Sequence, residues 1–216
     1  MAYSLGIDLG TTYSAAATMR GDRLEIFQLG ERAATIPSVV LLRADGEVLI
    51  GDAAERRALS EPTRTAREFK RRLGDPTPII LGGTPYGAES LQAHLLAAIY
   101  GKVTEQSGQT PAATVLCHPA SYGAYKLDLL RQAVRLADIG SVSLLAEPEA
   151  AVLHYATQER VPVGAAIAVY DFGGGTFDAT VMRKSQEGFE LLGRPEGMER
   201  LGGIDFDEAL FRHVLD

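Results

Sequence analysis

"AVYDFGGGTFDATV", residues 168–181, sets three consecutive glycines between two alternating apolar segments, which is the pattern of a β-hairpin. Asp171 stands just before the turn and Thr176 just after the glycines. Such a turn is either a tight hairpin that needed glycine or a place where backbone N–H groups close on an anion. Glycine serves both, because it permits φ > 0 and carries no Cβ. Residues 5–18, "LGIDLGTTYSAAAT", repeat the grammar: apolar strand, Asp8, one apolar residue, Gly10, hydroxyls at Thr11 and Thr12, then a second strand. One turn does not separate the two readings, but two turns, each preceded by an aspartate, favour a pair of phosphate-binding devices. A duplication at so long a separation predicts two similar lobes rather than a solenoid, with a ligand cleft between them.

Other phosphate motifs fail. There is no G-x-x-x-x-G-K-[ST] and no G-x-G-x-x-G, and the "DFG" at Asp171 lacks the H-R-D-x-x-x-x-N of protein kinases. The bulk numbers describe an ordinary globular protein: 216 residues, 46% hydrophobic and 23% charged. A net charge of −7 and a pI near 5.2 argue against nucleic acid and anionic membrane as partners. A polyanionic ligand therefore needs local compensation by a metal or a lysine. A single cysteine, Cys117, allows no internal disulfide. No basic-plus-apolar leader opens the chain and no apolar run approaches the roughly 20 residues of a membrane span. These features predict a cytoplasmic protein.

Strands are expected at Leu5–Leu9, Tyr13–Met19 and Leu24–Phe27, with turns at Gly10 and "RGD". "TIPSVVLLRADGEVLIGDAAE" reads as a strand, a turn at Asp45-Gly46, a second strand and a helix from Ala53 to Leu59. Helical spacing over 89–106 is stopped by Gly108 and Pro111. "ATVLCHP" is a buried strand, 126–137 a helix, "SVSLLAEP" a strand and 149–158 a helix with Pro148 in its first turn. "VPVGAA" reads as a connector. A last helix over 204–216, with Asp205 as its N-cap, ends without a stop signal, so the chain is expected to be cut inside a helix.

Five blocks make a specific resemblance: "LGIDLGTTYSAAA", the stretch from "IPSVVLL" to "REFKRRLG", "LLAEPEAAVLHYA", "AVYDFGGGTFDATV" and "LGGIDFDEAL". In order and approximate spacing the chain resembles the ATPase domain of Hsp70 chaperones, the DnaK-like members of the actin, hexokinase and Hsp70 superfamily. The resemblance implies an α/β, actin-like (ribonuclease H-like) ATPase fold. Residues 1–161 would form lobe I, with a small outer subdomain at about 35–86, and residues 162–216 the truncated beginning of lobe II. It implies ATP or ADP and Mg²⁺ as ligands. In a full-length protein it implies a J-domain co-chaperone, an exchange factor and unfolded clients as partners, in protein folding and the stress response.

The same resemblance assigns the site. Asp8, Asp171 and Asp178 match the carboxylates around the metal. Gly10, Thr11, Thr12 and Tyr13 match one phosphate loop, and Gly173, Gly174, Gly175 and Thr176 the other. Lys70 matches the lysine that approaches the γ-phosphate and the attacking water, and Glu147 the carboxylate that orients that water. Phosphoryl transfer needs these types, since it is catalysed by positioning and charge stabilisation. Taken without the resemblance, Lys70 belongs to a solvated cationic run and Glu147 to a helix N-terminus that favours an acid. Cys117 and His118 lack the further ligands of a metal site.

The chain also departs from the family. It is shorter than typical Hsp70s between Leu73 and Glu89. Pro119 matches the family's switch proline, but the relay arginine falls on Leu127, beside Lys126. The chain stops before the second half of lobe II, so this fragment is expected to be weak or inactive as an ATPase. The rival readings are a metabolite kinase of the same fold, which would need an aspartate base, and an actin-like filament protein.

Overall fold

In the computed structural model, which describes residues 2–215, the first alternating stretch folds as an antiparallel meander. Its strands are β1 (Ser4–Leu9), β2 (Tyr13–Arg20) and β3 (Arg23–Ile26). Leu5, Ile7 and Leu9 are buried while exposed Asp8 sits between the last two, the alternation a one-sided sheet requires.

The next segment differs from the expected single strand. It forms β4 (Ile36–Pro37), which pairs with β2, and then β5 (Val40–Leu42), which pairs with β6 (Val48–Ile50) in another sheet. The chain changes sheets at Ser38 and Val39, directly after a proline that has no N–H to give to a ladder. Gly46 takes a left-handed φ of 88° in the Asp45-Gly46 turn, and α1 (Asp52–Ala58) follows Gly51. β7 (Thr65–Ala66) completes a three-stranded outer sheet in the order β6-β5-β7.

The polar stretch after α1 carries structure that the sequence reading did not anticipate. Two 3-10 turns form at Pro62–Arg64 and Phe69–Arg72, and β8 (Ile79–Leu81) and β9 (Thr84–Tyr86) make a hairpin. Gly82 and Gly83 supply its two-residue turn at φ 58° and 88°, the type I′ geometry.

α2 (Ala88–Ser107) buries Leu91, Leu95, Leu96, Ile99 and Val103 on one stripe and ends at Gly108, whose φ of 67° terminates the helix. β10 (Ala113–His118) lies parallel to β1, and α3 (Ala124–Leu136) and β11 (Ser143–Ala146) follow. The main sheet runs β11-β10-β1-β2-β3, with β4 beside β2. Its core joins the inward residues of β1 to the α2 stripe, Leu116 and Leu130.

α4 (Glu147–Gln158) opens with Pro148 in its first turn, as expected. Then β12 (Ala166–Phe172), β13 (Phe177–Lys184) and β14 (Phe189–Met198) form a second meander, with a register shift between Ala179 and Val181. α5 (Gly203–Leu215) starts earlier than expected. Asp205 is not its N-cap but lies inside the first turn, where its Oδ2 accepts from the Gly202 N–H at 2.9 Å.

Contacts divide the chain into two units. One holds residues up to Leu116 together with Gly123–Leu144, the other Cys117–Tyr122 and residues from Leu145 onward. α4 packs on β12 and β14 within the second unit.

Candidate functional site

The two glycine turns match in register. In the first unit Leu9 pairs with Ser14, leaving Gly10–Tyr13 as the loop; in the second Phe172 pairs with Phe177, leaving Gly173–Thr176. Each loop has four residues, and each aspartate stands one residue before the closing pair. Across the strand, Asp8 faces Ala15 and Asp171 faces Asp178.

Gly10 serves close approach rather than left-handed backbone. Neither Gly10 nor Gly173 takes a positive φ, contrary to one of the two reasons glycine was expected there. A Cβ on Gly10 would lie 2.1 Å from the Tyr13 carbonyl oxygen, so no side chain fits. Around this turn the Ser38 hydroxyl donates to the Gly10 carbonyl at 2.7 Å and the Ser38 N–H to the Thr12 carbonyl at 2.8 Å. Thr12 Oγ1 is buried without a hydrogen-bond partner among the described residues, which suits a hydroxyl waiting for a ligand oxygen.

Lys70 belongs to the same unit, on the second 3-10 turn. Phe69 and Leu73 anchor that turn in the core, and Glu68 enters it at φ 54°, a conformation rare for a side chain of this kind. Arg71 ties it down by donating to Glu68 Oε2 at 2.9 Å.

In the second unit the Gly173 N–H closes the loop by donating to the Thr176 carbonyl at 2.9 Å. The segment at the start of α5 lies against it: Gly203 N–H donates to the Gly173 carbonyl at 3.1 Å and Ile204 N–H to the Gly174 carbonyl at 2.9 Å. A Cβ on Gly202 would be 2.4 Å from Gly175 N, so the "LGGID" glycine exists to admit the loop. Asp178 is buried, and a Cβ on Gly197 would reach its Oδ1 at 2.5 Å. Glu147 is the first residue of α4, partly buried, with Glu149 in the same turn. The structure thus brings Asp171, Asp178 and the second loop together, and in the other unit the first loop, Ser14 and Ser38. The sequence reading missed Ser38 and the direct pairing of Asp171 with Asp178; the latter follows from counting outward from a four-residue loop.

Among the described residues no three or more His, Cys, Asp or Glu stand close enough to ligate a metal directly, and no helix is long and apolar enough to cross a membrane. The residues present fit a nucleotide phosphate with its cation nonetheless: a glycine turn too tight for a side chain, a buried hydroxyl without a partner among the described residues, and two carboxyl groups side by side for the cation. A family model described as Hsp70 protein matches the chain over residues 4–80 and 77–216.

Proposed function

The chain belongs to the Hsp70 family, nucleotide-binding ATPases of the chaperone class with the actin-like fold, and from that premise we propose that it binds ATP with Mg²⁺ through its two glycine turns. The observation that carries this is the matched register of the two hairpins, each presenting an aspartate and a four-residue loop at the same positions. Asp8, Asp171 and Asp178 would hold the metal through its waters, and the metal would neutralise charge on the phosphates.

In a complete ATPase domain, hydrolysis follows from positioning. The N–H groups of Gly10–Tyr13 and Gly174–Thr176 hold phosphate oxygens, with the Thr11, Thr12 and Thr176 hydroxyls as further donors. Lys70 stabilises charge on the transferring group. Glu147 orients the attacking water and accepts its proton. We place this activity in protein folding or remodelling, with a J-domain co-chaperone, an exchange factor and unfolded clients as partners in the full-length protein. The short β8–β9 hairpin marks where contacts with an exchange factor would differ from those of longer relatives.

Nitrogen-15 NMR of the 216-residue chain titrated with Mg-ATP tests the reading. Amides of both loops are expected to shift together, and less when EDTA removes the metal. Shifts confined to other segments would refute it.

A further inference from the structure

Ser38 governs more of the first turn than its place outside the loop suggests. Its hydroxyl donates to the Gly10 carbonyl at 2.7 Å and stands 2.9 Å from Ser14 Oγ. A serine hydroxyl has one proton, and a carbonyl can only accept. The Ser38 proton therefore lies on the Gly10 oxygen, and Ser14 is the donor in the second bond. With the Ser38 N–H on the Thr12 carbonyl at 2.8 Å, one residue holds the carbonyls of Gly10 and Thr12 at once.

Those two bonds fix the opposite edge of the loop. The peptides are trans, and in a planar trans unit the N–H points away from the C=O. Turning the Gly10 and Thr12 carbonyls towards Ser38 turns the N–H groups of Thr11 and Tyr13 to the other side. Ser14 and Ser38 are 0% and 3% exposed, so water does not stand in for the bond between them, and the bond to Gly10 is partly shielded. Removing the Ser38 hydroxyl takes the side-chain donor from the Gly10 carbonyl and leaves the buried Ser14 hydroxyl unsatisfied.

We propose that Ser38 is the positioning residue of the first turn, holding the Thr11 and Tyr13 N–H groups in the orientation that receives nucleotide phosphate. This rests on the nucleotide reading above and deepens it. Preorganisation of this kind raises affinity by removing the cost of ordering the loop on binding.

The test is the same Mg-ATP titration of the whole chain, applied to Ser38→Ala and Ser14→Ala. Ser14→Ala deletes an equally buried hydrogen bond but leaves the clamp on Gly10. The apparent affinity read at the Gly10–Tyr13 amides should weaken about tenfold in Ser38→Ala, the effect of about one buried hydrogen bond. In Ser14→Ala it should stay within about threefold on the same scale. Equal losses in the two variants, or none in Ser38→Ala, overturn the proposal and leave Ser38 an ordinary buried bond. If Ser38→Ala does not fold, hydrogen exchange of the wild-type chain decides: the Ser38 amide must slow together with the turn amides when Mg-ATP binds, and an unchanged rate overturns the proposal. Wild-type loops that both ignore Mg-ATP bring down the nucleotide reading itself, and this inference with it.

Discussion

Asp171 and Asp178 face each other across an antiparallel pair, and like groups placed directly opposite destabilise a sheet by about 0.2–1 kcal/mol. A pair kept at that cost is explained if a cation uses it. Asp171→Asn is therefore expected to act in two directions. Without Mg²⁺ the variant should melt slightly higher than wild type, because repulsion is relieved. Its ATP binding should respond less to Mg²⁺. Calorimetric titration across a Mg²⁺ series, beside thermal melts, checks both; an unchanged Mg²⁺ response removes Asp171 from the metal site. Lys70 is the other residue whose role separates sharply from its surroundings. Its 3-10 turn is pinned by buried Phe69 and Leu73, so Lys70→Ala should leave the turn in place. In a complete ATPase domain the variant should lose on the order of 10² to 10³ in turnover, the effect of deleting one preorganised charge donor. Single-turnover hydrolysis within about threefold of wild type would remove Lys70 from catalysis.

Among the elements, α2 carries a pH dependence. Burial pushes the His94 imidazole below its ordinary 6.5, because the charged form loses hydration. A folded pKa below the unfolded one means that the unfolded chain takes up the proton first as pH falls. The contribution is complete above pH 6.5 and is lost as pH drops towards the folded value. Melting temperature should therefore decline from pH 7.5 to 5.5, and His94→Gln should flatten that decline; an equal slope in the variant assigns it elsewhere. Asp75 acts in the same direction at lower pH. Hydrogen bonds from the Thr77 N–H and from Arg72 hold its carboxyl below the ordinary 3.8. Elements with a strong local period were legible in the sequence: the β1–β2–β3 meander, the α2 stripe and the β12–β13 hairpin all follow from residues that sit next to one another. Pairings decided at a distance were not. Nothing local in "TIPSVVLL" says that the chain leaves one sheet for another at Ser38, since that depends on which edges β2 and β6 offer. The β8–β9 hairpin was readable from Gly82-Gly83 and was hidden by its short strands. The site divides the same way: the loops announce themselves through glycine, whereas Ser38 reaches Gly10 from the connection between β4 and β5 and carries no motif.

At the scale of the whole chain, the exposed apolar surface of the second unit decides solution behaviour. Tyr170 and Phe172 are 74% and 50% exposed on β12, on the face opposite the one shared by Asp171, Asp178 and buried Thr180. On α5, Phe206, Leu210 and Val214 follow i, i+4, i+8 spacing and are 54%, 63% and 74% exposed, with Phe211 and Leu215 beside them. Phe172 stacks on Phe206 at 5.5 Å between centroids, so the strand and helix surfaces are continuous. A contiguous patch of this kind drives association. The net charge of −7 opposes it, and salt screens that repulsion over a length of about 10 Å at 0.1 M while leaving apolar burial intact. The chain is therefore expected to associate more strongly as salt rises, the reverse of an assembly held by ion pairs. Light scattering over a concentration series at low and high salt measures this. Leu210→Lys together with Val214→Glu should return the chain to monomer at both. A wild-type chain that stays monomeric in high salt, or whose association salt dissolves, would show that the exposed stripe does not drive assembly.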